Sequence, residues 1–351
     1  MDALEGPAAQ ETVDSDLAFG PQVGEADEER LTLCESPRAN GMTVLKFGGS
    51  SLAGAERLLR SASIVQQAAA EQTVAVVVSA MRGITDQLFM LTRHLRDGAR
   101  GLATNQAQGI ISLHQGVAQD LNVRAQDAAR LREEIDHLGR DLLHEVNREY
   151  VNRGYDDVPG LETMDRIVSF GERLSCRLMT ATLRQLGTNA LAVEASDFLV
   201  TSDDFQSARP QLDVTVVRAG EIFPTLFAQG VVPVVTGFLG ATLDGRITTL
   251  GRNSSDFSAA IVAHALGASE LVIWTDVDGM YTANPHQSAS ARLLPELSYT
   301  SAQALAASGA KVLHHDVIPL AAKTQMRVAI RNTLNPQARG TLIGPHSEGA
   351  Q

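Results

Sequence analysis

Short apolar runs alternate with longer amphipathic stretches along most of the chain. Stretches with the apolar spacing of helices, among them 54–70, 169–186 and 256–266, lie between runs that have the β-branched content of buried strands. These strand-like runs are 43–47, 73–80, 190–196, 231–238, 270–277 and 327–332, with a last short strand near 341–343. Continuous apolar strands that alternate with helices indicate a mostly parallel sheet covered on both faces. The pattern therefore predicts an α/β fold.

Three segments depart from this alternation. Residues 1–41 hold ten Asp or Glu and two Lys or Arg, with few large apolar side chains, so we expect a disordered acidic tail. Residues from about 86 to 160 are polar with a helical pattern, and we interpret them as a helical insertion that folds over the sheet. The segment that follows the run 231–238 is typical of a hairpin. The predicted organisation is the tail, one α/β domain over 42–343 and a short tail over 344–351.

Composition limits the class of protein. The 351 residues carry 29 Lys and Arg against 41 Asp and Glu, a formal net charge of −12, which argues against a surface for nucleic acid or anionic membrane. No apolar run reaches the roughly 18 residues needed to cross a bilayer. The two cysteines, Cys34 and Cys176, indicate neither a disulfide framework nor a metal site. We therefore expect a cytoplasmic protein with no nucleic-acid or membrane partner.

The candidate chemistry lies in glycine-containing loops that follow strands. In VLKFGGSS, Lys46 comes before Gly48 and Gly49, an order that fits neither a P-loop nor a GxGxxG fingerprint. The loops SAMRGIT, SFGERLS and TLGRNSSD also lead into helices, whose N-termini offer backbone N–H groups and a positive dipole end to an anion. Lys46, Arg252 and Lys311 add positive charge. Several such loops at one edge of a sheet predict a polyanionic ligand.

Five of the motifs carry a family resemblance when they are taken in order: KFGGSS, SFGERLS, TLGRNSSD, IWTDVDGMYTANP and GAKVLHH. They resemble the motifs of aspartate kinases in the amino-acid kinase superfamily, and most of all the kinase portion of bifunctional aspartokinase–homoserine dehydrogenases. The resemblance spans about 43–343 and implies a three-layer α/β/α sandwich, so that 42–343 would be the catalytic domain. It also implies ATP- and Mg²⁺-dependent phosphorylation of the β-carboxylate of L-aspartate to 4-phospho-L-aspartate, the first step of lysine, threonine and methionine biosynthesis.

The same resemblance has implications for assembly and regulation. Usual aspartokinases carry regulatory modules after the kinase domain, and the bifunctional enzymes add a dehydrogenase. We expect neither in this sequence, because few residues follow the last predicted strand. We expect a homo-oligomer, and we leave open a separate partner that carries the regulatory module.

The resemblance further implies roles for individual residues. Lys46 and Asp256 would be catalytic, with Asp256 holding the lysine that contacts the transferring phosphates. Contacts to aspartate would come from Thr85, Glu172, Phe238, Arg252 and Ser255, with Arg252 suited to a carboxylate and Glu172 to the ammonium group. Nucleotide contacts would come from Lys46, Gly48, Gly49, Thr275, Asp276, Tyr281 and Lys311. No residue is assigned as a metal ligand.

The residues alone leave simpler alternatives open. Asp256 would serve equally as an N-terminal helix cap, and Glu172 as a first-turn acid that favours the helix dipole. Arg252 would fit a surface ion pair, and Lys311 a solvated helix position.

Three positions depart from the family pattern. Ser254 replaces a usual glycine and would restrict a backbone with positive φ. His286 replaces a usual arginine, and Asp316 lies where a Pro-Arg pair is usual. Two further functions therefore stay open: a related amino-acid kinase acting on another carboxylate or carbamate, and a catalytically inactive nucleotide-binding regulatory subunit. The adjacent His314 and His315 would point about 100° apart in a helix, so we expect no metal pair there.

Overall fold

The structure, a computed structural model, describes residues 41–152, 160–283, 288, 290–307 and 313–345. Almost all of the predicted acidic tail lies outside the described residues, as do His286, Lys311 and positions 346–351.

The strands and helices of the described ranges follow one another in the predicted alternation. The strands are β1 (Met42–Phe47), β2 (Thr73–Val78), β3 (Ala190–Val193), β4 (Val232–Thr236), β5 (Leu239–Ala241), β6 (Ile247–Thr249), β7 (Glu270–Thr275), β8 (Glu296–Ser298), β9 (Arg327–Asn332) and β10 (Thr341–Gly344). The helices are α1 (Ala55–Glu71), α2 (Ile84–Arg96), α3 (Arg100–Asp120), α4 (Ala125–Asn152), α5 (Leu161–Val168), α6 (Phe170–Gln185), α7 (Leu212–Ala228), α8 (Ser255–Ala265), α9 (Tyr299–Ala307) and α10 (Val317–Thr324).

The central sheet has eight strands in the order β3-β4-β2-β1-β7-β9-β10-β8 within the described ranges. Neighbouring strands are parallel except for β9 and β10, which run antiparallel. Strand β1 lies between β2 and β7, and Lys46 is in register with Val77 and Ile273. The predicted fold class is confirmed. The expected hairpin is also present, as the separate two-stranded sheet β5–β6.

Helices cover both faces of the sheet, and this explains the continuous apolar strands. Helices α1 and α6 contact each other and β2, whereas α8 contacts β1 and β7 and also packs against α7 and α10. The central strands between these layers are almost completely buried, with Val44, Val76 and Leu271 fully shielded from solvent. Trp274 belongs to this core, as its apolar surroundings in the sequence predict, and its ring stacks on Phe47 at 6.2 Å.

The polar segment of about 86–160 forms α2 to α4, and it packs differently from the expectation. Helix α4 contacts α3 and α6, and α3 also contacts α1, so these helices cover the helical layer rather than the sheet itself. The reason is a narrow apolar stripe on α4 at helical spacing, which is buried while the rest of the helix stays polar. Its members are Leu131, Ile135, Leu138, Leu142 and Val146. Over the described ranges, the helices are too short or too polar to cross a membrane.

Candidate active site

An ion pair between β1 and α8 marks the edge of the sheet where the candidate residues gather. Lys46 is the fifth residue of β1, and its Nζ lies 2.6 Å from Oδ1 of Asp256, the second residue of α8. The two side chains are only 8% and 14% exposed. Asp256 also lies in the first turn of its helix, where the dipole favours a carboxylate. The pair therefore fixes the lysine head group at the carboxyl end of β1.

The glycine loop after β1 is packed tightly against its neighbours. The Gly48 N–H donates to the carbonyl of Trp274 at 3.0 Å, and a Cβ on Gly48 would lie 3.6 Å from Lys46 Nζ. A Cβ on Gly49 would lie 2.7 Å from the carbonyl oxygen of Ala80, closer than real Cβ atoms approach. Glycine at position 49 is thus required for the loops after β1 and β2 to touch.

A cleft of about 240 Å³ opens beside this loop. It brings together Gly49 and all five residues predicted to contact aspartate, namely Thr85, Glu172, Phe238, Arg252 and Ser255. The other lining residues are Ser79, Ala80, Met81, Arg82, Gly83, Asp86, Asn253 and Ser254. A larger cavity, of about 420 Å³ between α3 and α4, contains none of the predicted site residues.

Glu172 supplies a buried acid to this cleft. It lies in the first turn of α6, where its Oε1 accepts the Ala80 N–H at 3.0 Å. Its Oε2 is buried and has no hydrogen-bond partner among the described residues. Burial raises the pKa of Glu172 to about 8, although the Ala80 N–H and the charge of Lys46 act in the opposite direction. An unpartnered carboxylate oxygen in a cleft suits an incoming cation such as an ammonium group.

Arg252 lies at the exposed rim of the same cleft and is held from α2. Its Nη2 pairs with Oδ1 of Asp86, and its guanidinium lies 4.7 Å from the centre of the Phe89 ring. Asp86 and Phe89 are three residues apart on α2, which places them on one face of the helix. An anion that binds Arg252 must therefore share the guanidinium with Asp86 or displace it.

The turn that carries Arg252 does not show the strain expected from Ser254. The φ angle of Ser254 is −84°, and its hydroxyl donates to the carbonyl of Gly251 at 2.6 Å. Positive φ angles fall instead on Gly251, at 95°, and Asn253, at 65°. The serine is therefore compatible with this turn, and the expectation that it would restrict a positive φ is wrong.

Phe238 and Ser255 are fixed by neighbouring polar groups. Phe238 has a φ of 69°, and its N–H donates to Ser258 Oγ at 2.9 Å while its carbonyl accepts the Leu250 N–H at 3.1 Å. Ser255 Oγ accepts the hydroxyl of Ser79 at 2.7 Å. These bonds hold the backbone on both sides of the hairpin.

Of the residues predicted to contact nucleotide, Gly49 lines this cleft. Thr275, Asp276 and Tyr281 are not among its lining residues. Thr275 ends β7, and its hydroxyl donates to Asp276 at 3.3 Å, while Tyr281 forms an isolated bridge with Leu293. Thr275 ends the strand next to β1 and the other two residues follow it, so this segment begins at the same edge of the sheet as Lys46. The seventh nucleotide residue, Lys311, is outside the described ranges.

The two adjacent histidines lie in the turn before α10, so the helical geometry expected for them is wrong. Their rings stack at 4.3 Å, and the His314 ring also stacks on Phe257. Together with Asp316 they are the group of potential metal ligands found in the part of the chain that the structure describes. His314 is largely packed and His315 is 80% exposed.

Sequence reasoning missed several residues that shape the cleft. Arg82 and Asp86 are in the stretch SAMRGITDQ, of which only Thr85 was predicted to contact a substrate. Their charge and their distance of at most three residues from Thr85 were an available signal. Asp165, which hydrogen-bonds to the β5–β6 hairpin, has no such local signal.

Comparison with known proteins identifies what this arrangement is similar to. The profile of the amino acid kinase family matches residues 41–332. Aspartokinase 1, chloroplastic, of Arabidopsis thaliana is 32% identical over 327 residues, which cover 92% of this chain and 53% of that protein. Lysine-sensitive aspartokinase 3 of Escherichia coli is 33% identical over 306 residues, which cover 86% of this chain and 64% of the relative. The chain therefore spans about half to two thirds of the length of these curated relatives.

A solved structure gives the same result. Escherichia coli aspartokinase III, in a complex with aspartate and ADP, superposes with a TM-score of 0.79 at 30% sequence identity. The match covers 88% of this chain and 65% of that one.

Proposed function

Because the chain belongs to the amino acid kinase family, we propose that it transfers the γ-phosphoryl group of ATP to the β-carboxylate of L-aspartate. The observation that carries the proposal is the cleft in which the unpartnered Oε2 of Glu172 and the guanidinium of Arg252 lie beside the glycine loop that adjoins Lys46. The bound aspartate and ADP of the Escherichia coli relative support the same assignment.

The two charged groups of the cleft would recognise the amino-acid head of the substrate. Glu172 would pair with the ammonium group, and Arg252 would bind the α-carboxylate through its remaining N–H groups. Thr85, Phe238 and Ser255 would complete the contacts. The side-chain carboxylate of aspartate would then be the end directed to the glycine loop and Lys46.

The reaction itself asks little covalent chemistry of the protein. A carboxylate is ionised at neutral pH, so the nucleophile needs no general base. Its oxygen attacks the γ-phosphorus, the bond to the ADP oxygen breaks, and an acyl phosphate forms. The barrier is the approach of two anions and the charge spread over the transferring group. Lys46 would stabilise that charge, and Asp256 would keep the lysine in position.

The nucleotide side of the site is proposed on family grounds and on the position of the residues at the sheet edge. Gly48 and Gly49 would present backbone N–H groups to the phosphates, with Thr275, Asp276, Tyr281 and Lys311 as further contacts. Mg²⁺ would shield the phosphate charge, and it is usually bound by substrate phosphates, several waters and only one or two carboxylates. Asp256 and Asp276 are two carboxylates at this edge, which fits a metal held chiefly through ATP. A homo-oligomer and a separate regulatory partner stay predictions.

A coupled assay of ADP release, with and without L-aspartate, tests the proposal. We expect turnover that depends on aspartate and a product that hydroxylamine traps as a hydroxamate, because acyl phosphates are electrophilic. The Lys46→Ala protein is the matched control for contaminating kinases. Turnover with other carboxylates or carbamates alone would indicate a related kinase, and nucleotide binding without turnover would indicate an inactive regulatory subunit.

A further inference from the structure

Asp165 is a fully buried acid on α5 that accepts four hydrogen bonds from two segments, strand β6 and the loop that contains Gln206. Its Oδ2 accepts the backbone N–H groups of Gln206 and Thr249, both at 2.9 Å. Its Oδ1 accepts the Thr249 hydroxyl at 2.7 Å and the side-chain amide of Gln206. Burial raises the pKa of Asp165, whereas these bonds act in the opposite direction. A carboxylate buried at this cost and so fully bonded holds its partners in one geometry.

The first of these segments, strand β6, leads directly to Arg252. Strands β5 and β6 have three residues each and pair with each other, and such a two-stranded ribbon is marginally stable by itself. Thr249 is the last residue of β6, three positions before Arg252. The next residue, Leu250, donates its N–H to the carbonyl of Phe238. The anchor at Thr249 therefore holds the hairpin next to Phe238 and Arg252, the two flanking residues that line the cleft.

The second segment, the loop that contains Gln206, packs against the same strand. Gln206 has a φ of 71°, a conformation that a residue with a side chain holds only when its surroundings impose it. Two residues later, the Ala208 N–H donates to the carbonyl of Thr249 at 2.9 Å. By fixing Gln206, Asp165 keeps this loop against β6.

Asp165 and Glu172 lie on two consecutive helices, α5 and α6, which are separated by one residue. Helix α5 ends at Val168, and α6 begins at Phe170 with Glu172 in its first turn. A second link joins the same two units, since Arg246 of the hairpin lies 3.8 Å from Glu162 of α5. Asp165 and Glu162 therefore connect the α5–α6 unit to the β5–β6 hairpin close to the cleft.

We propose that Asp165 is a positioning residue that sets the spacing between Glu172 and Arg252 and, through that spacing, the affinity for an α-amino acid. The part about affinity rests on the proposed function. An error of about 1 Å between two groups that clamp one small molecule costs up to roughly a hundredfold.

Asp165 could act through the geometry of its hydrogen bonds or through its charge, and two substitutions separate these effects. Asparagine can keep its oxygen at the Oδ2 position for the two backbone N–H groups. Its NH₂ group then donates to Thr249 Oγ1 and to a reversed Gln206 amide, since both partners can accept as well as donate. Asp165→Asn should therefore preserve the spacing, whereas Asp165→Ala removes all four bonds.

Two readouts on the full chain test the proposal, with Val65→Ala as the control for a general loss of stability. Val65 is a fully buried residue of α1, outside the described cleft. In Asp165→Ala we expect faster hydrogen exchange than in Val65→Ala in peptides that span 246–252. We also expect the KM for aspartate to rise at least about tenfold, with the KM for ATP within about twofold. Asp165→Asn should stay near the wild type in both readouts.

Equal exchange of the hairpin in Asp165→Ala and Val65→Ala, or an equal rise of both KM values, would overturn the proposal. If Asp165→Ala yields no folded protein, Thr249→Val, which deletes one donor and keeps the side-chain size, decides by the same readouts. If the wild-type chain does not turn over aspartate, the proposed function fails. The exchange comparison, which needs no activity, then decides alone whether Asp165 holds the hairpin.

Discussion

The buried acid of Glu172 should make binding of the amino acid depend on pH. Burial raises the pKa of Glu172 to about 8, so about 9% of the free protein carries the ionised form at pH 7 and about 50% at pH 8. Only the ionised form offers a full charge to an ammonium group. We therefore expect kcat/KM for aspartate to rise about fivefold between pH 7 and pH 8.

The assay compares the two substrates over the same pH range. Aspartate is varied at saturating ATP from pH 6.0 to 8.5, and ATP is varied at saturating aspartate, because kcat/KM reports ionisations of the free enzyme and free substrate. The Glu172→Gln protein should bind aspartate weakly and lose the pH dependence of kcat/KM for aspartate. A flat aspartate profile in the wild type, or a Glu172→Gln protein with a near-normal KM for aspartate, would refute the role of Glu172.

The same carboxyl links pH to stability with a definite sign. The pKa of Glu172 in the folded chain is raised above the ordinary value of 4.5, so the folded chain keeps a proton that the unfolded chain releases. Stability therefore falls as pH rises from about 4.5 to about 8. Glutamine has no proton to lose, and its carbonyl can still accept the Ala80 N–H. Glu172→Gln should consequently melt higher than the wild type at pH 8.5 by at least about 2 °C, with a smaller difference at pH 5.

Substitutions at three further residues test the charged pairs of the site. Lys46→Ala should lower kcat by about 10²–10³ in a protein with an unchanged circular dichroism spectrum, and turnover near the wild-type rate would exclude its phosphate role. Arg252→Ala should raise the KM for aspartate far more than the KM for ATP, and Arg252→Lys should recover only part of the loss because lysine lacks the bidentate fork. Asp86→Asn should lower the KM for aspartate by about two- to fivefold at low salt and less at high salt, since it frees a solvent-exposed Arg252. A rise in that KM would show instead that Asp86 orients the arginine.

The longer strands of the fold could be predicted from the local pattern of the sequence, whereas the short strand β8 could not. The six apolar runs became β1–β4, β7 and β9, because a strand buried on both faces is apolar at most positions. Strand β8 was not predicted. It has three residues, of which only Leu297 is buried, and such a segment shows no period. The position of α3 and α4 on the helical layer could not be predicted from local pattern either. An apolar stripe indicates that one face of a helix is buried, but it does not identify the element that covers that face.

The residues of the site could likewise be predicted from local motifs, whereas their contacts with distant residues could not. Lys46, Gly49, Glu172 and Arg252 could be named because each lies in a motif at a strand or helix end. Their partners could not be named by spacing alone. Arg252 pairs with Asp86 across 166 positions of the sequence, and no pattern of a few residues carries that information. The raised pKa of Glu172 is equally non-local, because it depends on the loops that exclude water from the first turn of α6.

These pairings change the electrostatic character of the cleft. The sequence indicates a basic cradle, but Lys46 is balanced by Asp256 and Arg252 by Asp86. Arg82 is the lining cation for which the described residues offer no ion pair. Glu172 is mostly protonated at pH 7 while the cleft is empty, and a ligand with an ammonium group would stabilise its ionised form. A dicarboxylate without an amino group would leave Glu172 neutral and its buried Oε2 unpartnered. Such a site would discriminate by the buried group that a wrong ligand leaves unpaired, and this would select an α-amino acid more strongly than attraction between net charges.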